Sequence, residues 1–231
     1  MKISWKKVFR WFCYCILFFF GSTILFVLLY TVINPPLTPL MLIRTGAQLF
    51  SGEKVSLKKD WVSIDKIAPE LQLAVVASED NRFLTHHGFD FEAIEKAKEF
   101  NEKKQGKRVR GASTISQQTA KNVFLWPARS WIRKGFEVYF TALIELVWSK
   151  KRIMEVYLNV IETGDGIYGA EAASRAYFNK PAEKLSRSEA ALIAAILPNP
   201  RKWNPAHPTG YLLGRQQWIL WNMGNIGRLE Y

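Results

Sequence analysis

The sequence predicts an all-α domain preceded by a single membrane-spanning helix. Three observations lead to this fold class: an uncharged apolar stretch near the start, apolar residues at the 3.6-residue period of amphipathic helices through most of the remainder, and no clearly alternating strand. The 231 residues are 48% hydrophobic and 23% charged, so one folded domain of ordinary size fits beside the anchor.

The anchor is the uncharged stretch from Trp11 to Ile33. As a helix rising 1.5 Å per residue it is about 35 Å long, enough to cross a hydrocarbon core of ~30 Å. Pro35 and Pro36 end it, and it is longer than the apolar part of a cleaved signal peptide, which is the alternative. The chain therefore divides into a basic cytoplasmic tail (1–10), the anchor (11–34), a membrane-proximal segment (35–59) and the main domain (60–231).

Charges on the two sides of the anchor predict its orientation. Four basic residues lie between Met1 and Arg10, whereas Arg44 is the first charged residue after the anchor. Because basic residues stay on the cytoplasmic side, we expect a single-pass protein of the cytoplasmic (inner) membrane with its domain outside the cytoplasm. The apolar segment 39–50 fits either a helix lying along the bilayer surface or a packed linker helix.

The formal net charge of +12 predicts an anionic partner. The sequence shows no DNA- or RNA-binding motif, so the expected partners are membrane lipids and lipid pyrophosphates, and nucleic acid is not expected. Cys13 and Cys15 both lie in the apolar stretch, so we expect neither a disulfide nor a zinc-thiolate site in the domain.

Apolar periodicity gives the order of the helices in the domain. The helical stretches are residues 71–77, 89–100, 114–124, 131–148, 153–161 and 188–197. Turn-forming residues interrupt at 87–88, 103–110, 126–127, 164–169 and 198–208. A further helix of small residues is expected to pack around Tyr168.

The first candidate site is the acid pair Glu79 and Asp80, which follows the helical stretch LQLAVVAS. Two carboxylates at a helix C-terminus oppose the helix dipole, so their presence there suggests a functional role. The alternative is a surface acid pair balanced by Arg82.

The second candidate is one face of the helix in RGASTISQQTAKN, residues 110–122. At about 100° per residue, this segment forms two neighbouring polar stripes, namely Ser113, Gln117 and Lys121, then Thr114, Gln118 and Asn122. Hydrogen-bonding stripes that end in a lysine suit a sugar and a phosphate; the alternative is a solvated helix face.

The third candidate is RSWIRKGFE, with Arg129, Arg133 and Glu137. Arg133 and Glu137 lie four residues apart, which fits a helix-surface ion pair. The same segment also fits a second functional carboxylate beside an arginine that binds phosphate, and spacing alone does not decide between these. The three histidines show no metal-ligand spacing and are interpreted as hydrogen-bonding loop residues.

Five ordered motifs resemble the peptidoglycan glycosyltransferases, glycosyltransferase family 51, and among them the monofunctional biosynthetic members that lack a transpeptidase domain. The motifs are EDNRFLTHHGFD, GASTISQQTAKN, RKGFE, KKRIMEVYLN and ALIAAILPNPRKWNP, and with the anchor they cover nearly the whole chain. Two departures, Gly111-Ala112 for Gly-Gly and Glu162-Thr163-Gly164 for Tyr-Phe-Gly, leave the charged positions unchanged.

The resemblance implies a lysozyme-like, bilobal domain with a head and a membrane-facing jaw. It implies that Glu79 is the general base and Glu137 the second essential carboxylate. Since an acceptor sugar must fit between base and leaving group, we expect these carboxylates in one cleft, at or beyond roughly 6.5 to 9.5 Å apart. The implied substrate-binding residues are Ser113, Gln117, Gln118, Lys121, Asn122, Arg129 and Arg133, with Lys121 and Arg129 holding a pyrophosphate.

The implied reaction is inverting polymerisation of lipid II into linear β-1,4-linked glycan strands, with release of undecaprenyl pyrophosphate and no transpeptidase activity. No cofactor is required, and a divalent cation (Mg²⁺ or Mn²⁺) near Glu79 or the pyrophosphate is compatible with it. The expected partners are lipid II, the growing glycan strand, membrane lipids and other cell-wall synthesis or division proteins. Two alternatives are a glycan-cleaving enzyme of the same fold and a non-catalytic membrane-tethered scaffold.

A fusion at the C-terminus tests the predicted orientation. Alkaline phosphatase joined after Tyr231 should be active, because it matures only where disulfides form, outside the cytoplasm. β-Galactosidase joined at the same position is the control and should be inactive. The opposite pair of activities would show that the domain lies in the cytoplasm.

Overall fold

The structure is a computed structural model that describes residues 4–52, 54–104, 111–128 and 130–231. Most of these residues are helical, which confirms the predicted fold class. The helices are α1 Trp5–Leu29, α2 Pro39–Ser51, α3 Pro69–Glu79, α4 Phe91–Lys103, α5 Ile115–Phe124, α6 Trp131–Val147, α7 Lys150–Val160, α8 Ala170–Phe178, α9 Arg187–Ile196 and α10 Gly210–Ile226. The strands are β1 Lys58–Lys59, β2 Glu162–Gly164 and β3 Ile167–Tyr168, and 3₁₀ turns lie at Ile64–Lys66 and Ala182–Lys184.

Helix α1 is long and apolar enough to cross a membrane. It begins before the predicted anchor because the basic residues between Trp5 and Trp11 are good helix formers that extend it. It also ends earlier, at Leu29. Beyond that end the guanidinium of Arg152 donates hydrogen bonds of 2.9 Å to the carbonyl oxygens of Tyr30 and Ile33. Carbonyl oxygens that have no partner within the helix thus accept hydrogen bonds from a side chain of the domain.

Helix α2 shows the packing that the linker-helix interpretation of segment 39–50 requires, and its contact with a bilayer surface stays a prediction. Thr38 caps it and Pro39 opens it, while Met41 on its inner side is fully buried and the helix packs against α5. Its other side leaves large apolar residues exposed, including Leu49 at 66% and Phe50 at 96%. One face is therefore packed on the domain, and the other is apolar and uncovered within the described residues.

The core is built from two helix groups that share one apolar cluster. Helix α3 packs against α9 and α10, and α5 packs against α6 and α7. Val27 of α1 also belongs to this cluster, and its carbonyl oxygen accepts a 2.8 Å hydrogen bond from the indole of Trp148. Helix α1 is therefore packed onto the domain near its C-terminal end.

A small three-stranded sheet is the main departure from the sequence prediction, which found no strand. β3 pairs parallel with β1 and antiparallel with β2. Strands of two or three residues are too short to show an alternating pattern, so periodicity could not detect them. The turn between β2 and β3 uses Gly166 at φ +67°, where a Cβ would lie 2.3 Å from the backbone oxygen of Ser56. Only glycine permits this approach.

Helix α10 was not among the helices assigned from the sequence. Its buried side mixes apolar residues with Gln216 and Asn222, while Trp218 and Trp221 remain exposed. This arrangement weakens the apolar period on which the assignment depends. The small-residue helix expected next to Tyr168 is present as α8.

Asn159 provides a test of how the domain is held together. Its buried amide accepts from the backbone nitrogen of Val62 at 2.9 Å, and donates to the carbonyl oxygens of Val62 at 2.9 Å and Glu155 at 2.8 Å. Asn159→Ala should lower the free energy of unfolding by about 2 to 4 kcal/mol, because it leaves buried backbone groups unpaired. Chemical denaturation measures this loss. The exposed Asn225→Ala is the control, and equal stability of the two variants would contradict the prediction.

Candidate active site

Glu79 is the last residue of α3. That helix is buried along most of its length, so the position of its C-terminus is fixed by packing. The Glu79 side chain is 15% exposed and lines a cavity of about 810 Å³, which we call the Glu79 cavity. Residues of α3, α4, α5 and α10 form its walls.

Three side chains surround the carboxylate of Glu79. Gln118 Nε2 donates to Oε2 at 2.9 Å, and Ser78 Oγ donates to Oε1 at 3.3 Å. Arg215 Nη2 lies 3.9 Å from Oε1. Arg82, the partner that the surface-pair interpretation requires, instead forms ion pairs with Asp90 and Glu92.

Asp80 is buried and has a different environment from Glu79. Its carboxylate bonds to His86 Nε2 at 2.9 Å and accepts from the backbone nitrogen of Ile115, also at 2.9 Å. Since Ile115 is the first residue of α5, a negative charge here is stabilised by the helix N-terminus. Asp80 therefore joins α3 to α5, and His86 is a hydrogen-bonding loop residue as expected.

The two predicted stripes on α5 divide between different tasks. Thr114 and Gln117 form a reciprocal capping box, and Gln117 lines neither the Glu79 cavity nor the cavity that adjoins it. Ser113 does line the Glu79 cavity, and so does Gln118. The sequence grouped these residues by helix face, but it could not show that capping already occupies the Gln117 side chain.

A second cavity of about 440 Å³, the cationic cavity, adjoins the first. Gln118 and Pro198 line both. Its positively charged residues are Arg44 from α2, Lys121 from α5 and Arg133 from α6, and Asn122 lines it as well. The structure thus brings together Lys121, Asn122 and Arg133 as predicted candidates, whereas Arg129 lies outside the described residues.

The pKa of Lys121 is lowered from its ordinary value of 10.5, mainly because burial strips water from the ammonium group. The charge of Glu137 acts in the opposite direction, while Arg133 and Lys134 lower the pKa further. Glu79 raises it slightly. The negative charges of both predicted catalytic carboxylates therefore act on Lys121. Burial nevertheless makes the positive charge of Lys121 energetically unfavourable.

Glu137 is buried and lines neither cavity. It is 3% exposed, Arg133 Nη1 donates to its Oε2 at 2.6 Å, and Lys134 forms an ion pair with Oε1. The predicted ion pair of Arg133 with Glu137 is therefore present, but it is buried instead of lying on the helix surface, and a functional role of Glu137 stays a prediction. The expected separation of Glu79 and Glu137 in one cleft stays a prediction.

Sequence reasoning missed three residues at this site. Arg215 and Trp218 line the Glu79 cavity from α10, the helix that the sequence did not assign. Arg44 lines the cationic cavity and pairs with Glu162, with Nε and Oε1 3.3 Å apart. Arg44 could have been predicted from the sequence because it is the single charged residue in an otherwise apolar segment.

The described residues include no group of three or more His, Cys, Asp or Glu side chains that could hold a metal ion. Glu79 has amide and guanidinium neighbours, and the adjacent carboxylate of Asp80 is directed to His86 and Ile115. Two further carboxylates that line the Glu79 cavity, Asp90 and Glu92, both pair with Arg82. A divalent cation near Glu79 stays a prediction.

A family model described as Transglycosylase matches residues 46–224, which include every residue that lines the Glu79 cavity and all that line the cationic cavity except Leu40 and Arg44. The chain belongs to the transglycosylase family. The resemblance inferred from the motifs is thereby confirmed, as is the prediction that the chain is an enzyme.

Individual members of the transglycosylase family are similar over most of their lengths. A biosynthetic peptidoglycan transglycosylase of Bacteroides thetaiotaomicron is 62% identical over 215 residues, 93% of this chain and 86% of that protein. One of Bdellovibrio bacteriovorus is 54% identical over 220 residues, 95% and 87% of the two chains. One of Pseudomonas fluorescens is 48% identical over 222 residues, 96% and 92%.

The unfavourable environment of Lys121 predicts that removing its charge stabilises this transglycosylase-family domain. Lys121→Met keeps the length of the side chain without the charge, so it should raise Tm by roughly 2 to 4 °C, the effect of about 1 kcal/mol in a domain of this size. Lys134→Met is the matched control and should lower Tm, because it removes a partner of the buried Glu137. Thermal unfolding in detergent measures both shifts. A Tm lowered by Lys121→Met would show that the cation is stabilising.

Proposed function

We propose that this chain is a peptidoglycan glycosyltransferase that polymerises lipid II into linear β-1,4-linked glycan strands. The single observation that carries the proposal is a carboxylate, Glu79, in a sugar-sized cavity that opens beside a cavity lined by Arg44, Lys121 and Arg133. One cavity suits a sugar hydroxyl that must lose a proton, and the other suits a polyanionic leaving group. The names of the similar proteins support the same activity.

In the proposed reaction Glu79 accepts the proton of the 4-hydroxyl of the acceptor sugar. That oxygen forms a bond to the anomeric carbon of the donor, and the bond from this carbon to the pyrophosphate oxygen breaks. The electron pair leaves with undecaprenyl pyrophosphate. Attack from the face opposite the leaving group converts the α-linked donor into a β-linked product, so the reaction inverts.

The cationic cavity stabilises the leaving group as its charge grows. Lys121 and Arg133 supply fixed positive charge in a partly desolvated site, where such charges act more strongly than in water. We assign Arg129 to the same task from the resemblance alone. Glu137 then serves as the second essential carboxylate by holding Arg133 and by favouring the charged form of Lys121. A divalent cation, if used, would be bound by the pyrophosphate oxygens, and no step above depends on it.

The membrane-facing parts of the chain fit a substrate that remains in the bilayer. Helix α1 is apolar enough to span it, and we propose that the N-terminus is cytoplasmic and the domain extracytoplasmic. The exposed apolar face of α2 would then lie against the outer surface of the cytoplasmic membrane. The proposed partners are lipid II, the growing strand, membrane lipids and other cell-wall synthesis or division proteins.

Glu79→Gln tests the proposed base. Glutamine keeps the size of the side chain but cannot accept the proton, so polymerisation should fall by roughly 10²- to 10⁴-fold while lipid II binding and Tm remain nearly unchanged. The control is Glu70→Gln, the same change at the other end of α3, which should leave the rate unaltered. Gel analysis of glycan strands made from labelled lipid II measures both. Polymerisation by Glu79→Gln at the unaltered rate, with unchanged Tm, would show that Glu79 is not the base.

Lys121→Ala should behave differently from Glu79→Gln. Removing the cation takes away a partner of the pyrophosphate, so both donor binding and turnover should weaken. Lys66→Ala, at a lysine that is 68% exposed, is the control.

The same assay also separates the alternatives, because a glycan-cleaving enzyme would shorten strands and a scaffold would neither make nor cut them.

A further inference from the structure

A buried tyrosine lies behind the Glu79 site and takes no part in the reaction described above. Tyr157, on α7, is fully buried and lines neither the Glu79 cavity nor the cationic cavity. Its hydroxyl donates to Gln118 Oε1 at 3.2 Å, and Gln118 Nε2 donates to Glu79 Oε2 at 2.9 Å. Three side chains from three different helices thus form a continuous hydrogen-bonded row that ends at the reacting carboxylate.

The chemistry of the row permits only one direction of donation. An ionised carboxylate can only accept, so the amide nitrogen of Gln118 must face Glu79. The amide oxygen then faces Tyr157, whose hydroxyl must donate. Burial raises the pKa of the Tyr157 hydroxyl well above its ordinary value, and the charges of Glu79 and Asp80 raise it further. The hydroxyl therefore keeps the proton on which the row depends.

The row distinguishes the two oxygens of the Glu79 carboxylate. Oε2 is occupied by the amide of Gln118 at 2.9 Å. Among the described contacts, Oε1 has a longer hydrogen bond from Ser78 Oγ at 3.3 Å and the guanidinium of Arg215 at 3.9 Å. Ser78 Oγ also lies 3.5 Å from the carbonyl oxygen of Ala194, a second acceptor for its single proton. Oε1 is thus the less strongly engaged oxygen.

We propose that Tyr157 is a positioning residue, which acts through Gln118 to hold Glu79 with Oε1 as the oxygen that accepts the proton. This inference rests on the proposed function of Glu79. Without the tyrosine hydroxyl, Gln118 Oε1 loses that hydrogen bond, and the amide is held only through its nitrogen at Glu79. The Gln118 side chain then moves more freely together with the carboxylate, so Glu79 spends less time in the geometry in which Oε1 reaches the acceptor hydroxyl.

A double-mutant cycle on the full chain tests this proposal. Tyr157→Phe removes one hydroxyl, and Gln118→Met removes both hydrogen bonds at nearly constant volume. Each should lower kcat for fluorescent lipid II by roughly 10- to 100-fold, because alignment of Glu79 is lost. KM should change little in Tyr157→Phe, because Tyr157 lines neither cavity, whereas Gln118→Met should also raise KM because Gln118 lines both. In the Gln118→Met background, Tyr157→Phe should change kcat by less than about twofold, since its route to Glu79 is already cut.

Tyr177→Phe is the matched control for loss of a buried hydroxyl. Tyr177 is a half-buried tyrosine whose hydroxyl donates to the carbonyl oxygen of Thr163 at 2.9 Å, outside the row. This variant should lose stability to a similar extent as Tyr157→Phe and keep its kcat. Tm is measured for every variant, and kcat is measured well below the lowest Tm. If Tyr157→Phe does not fold, the row is tested with Gln118→Met: an unchanged kcat overturns the proposal, and a lowered kcat supports the orienting role of Gln118 through which Tyr157 acts.

The outcomes separate this inference from the proposed function. If the losses from Tyr157→Phe and Gln118→Met multiply, or if Tyr157→Phe keeps its kcat, Tyr157 does not act through Gln118 and the inference is wrong. If Glu79→Gln polymerises lipid II at the unaltered rate, the proposed function of Glu79 fails first. An inactive Glu79→Gln together with a non-additive cycle supports both.

Discussion

The buried carboxylate of Asp80 holds together the two helices on which the site depends. It accepts a hydrogen bond from the first backbone nitrogen of α5 and bonds to His86, while it directly follows the last residue of α3. A carboxylate at a helix N-terminus satisfies a free donor and interacts favourably with the helix dipole. With α5 fixed in this way, Gln118 lies opposite Glu79, and the two cavities meet at Gln118. Two adjacent acids thus have separate tasks, one structural and one facing the cavity.

Holding Lys121 charged in the cationic cavity costs free energy. Lys121 is partly stripped of water, and Arg133 and Lys134 oppose its charge. The buried Glu137 limits this cost, because it pairs with Arg133 and Lys134 and attracts Lys121. A polyanionic leaving group would relieve the remaining repulsion between the cations, so the proposed transition state is favoured by charges that are already in place.

The membrane helix is part of the packed structure, not a loose tether. Trp148 and Arg152 donate to carbonyl oxygens at its C-terminal end, and Phe19 and Phe20 contact aromatic rings of α6. These contacts fix the position of α5 and α6, which line the cationic cavity, relative to the anchor. The cationic cavity is thereby held in a defined position relative to the apolar helix.

The sequence by itself determined the helical class, the anchor and most of the helices, because burial of one helix face leaves a regular apolar period. It also identified two candidate site residues: Glu79, which opposes the helix dipole, and Lys121, which ends a polar stripe on α5. Tertiary structure decided which of the two adjacent glutamines faces Glu79, since Gln117 is taken by the capping box. It also placed Arg215 beside Glu79 and brought the Tyr157 hydroxyl to the other end of the Gln118 amide. Contacts between residues so far apart in the chain leave no periodic trace in the sequence, because they depend on how helices pack and not on how each one forms.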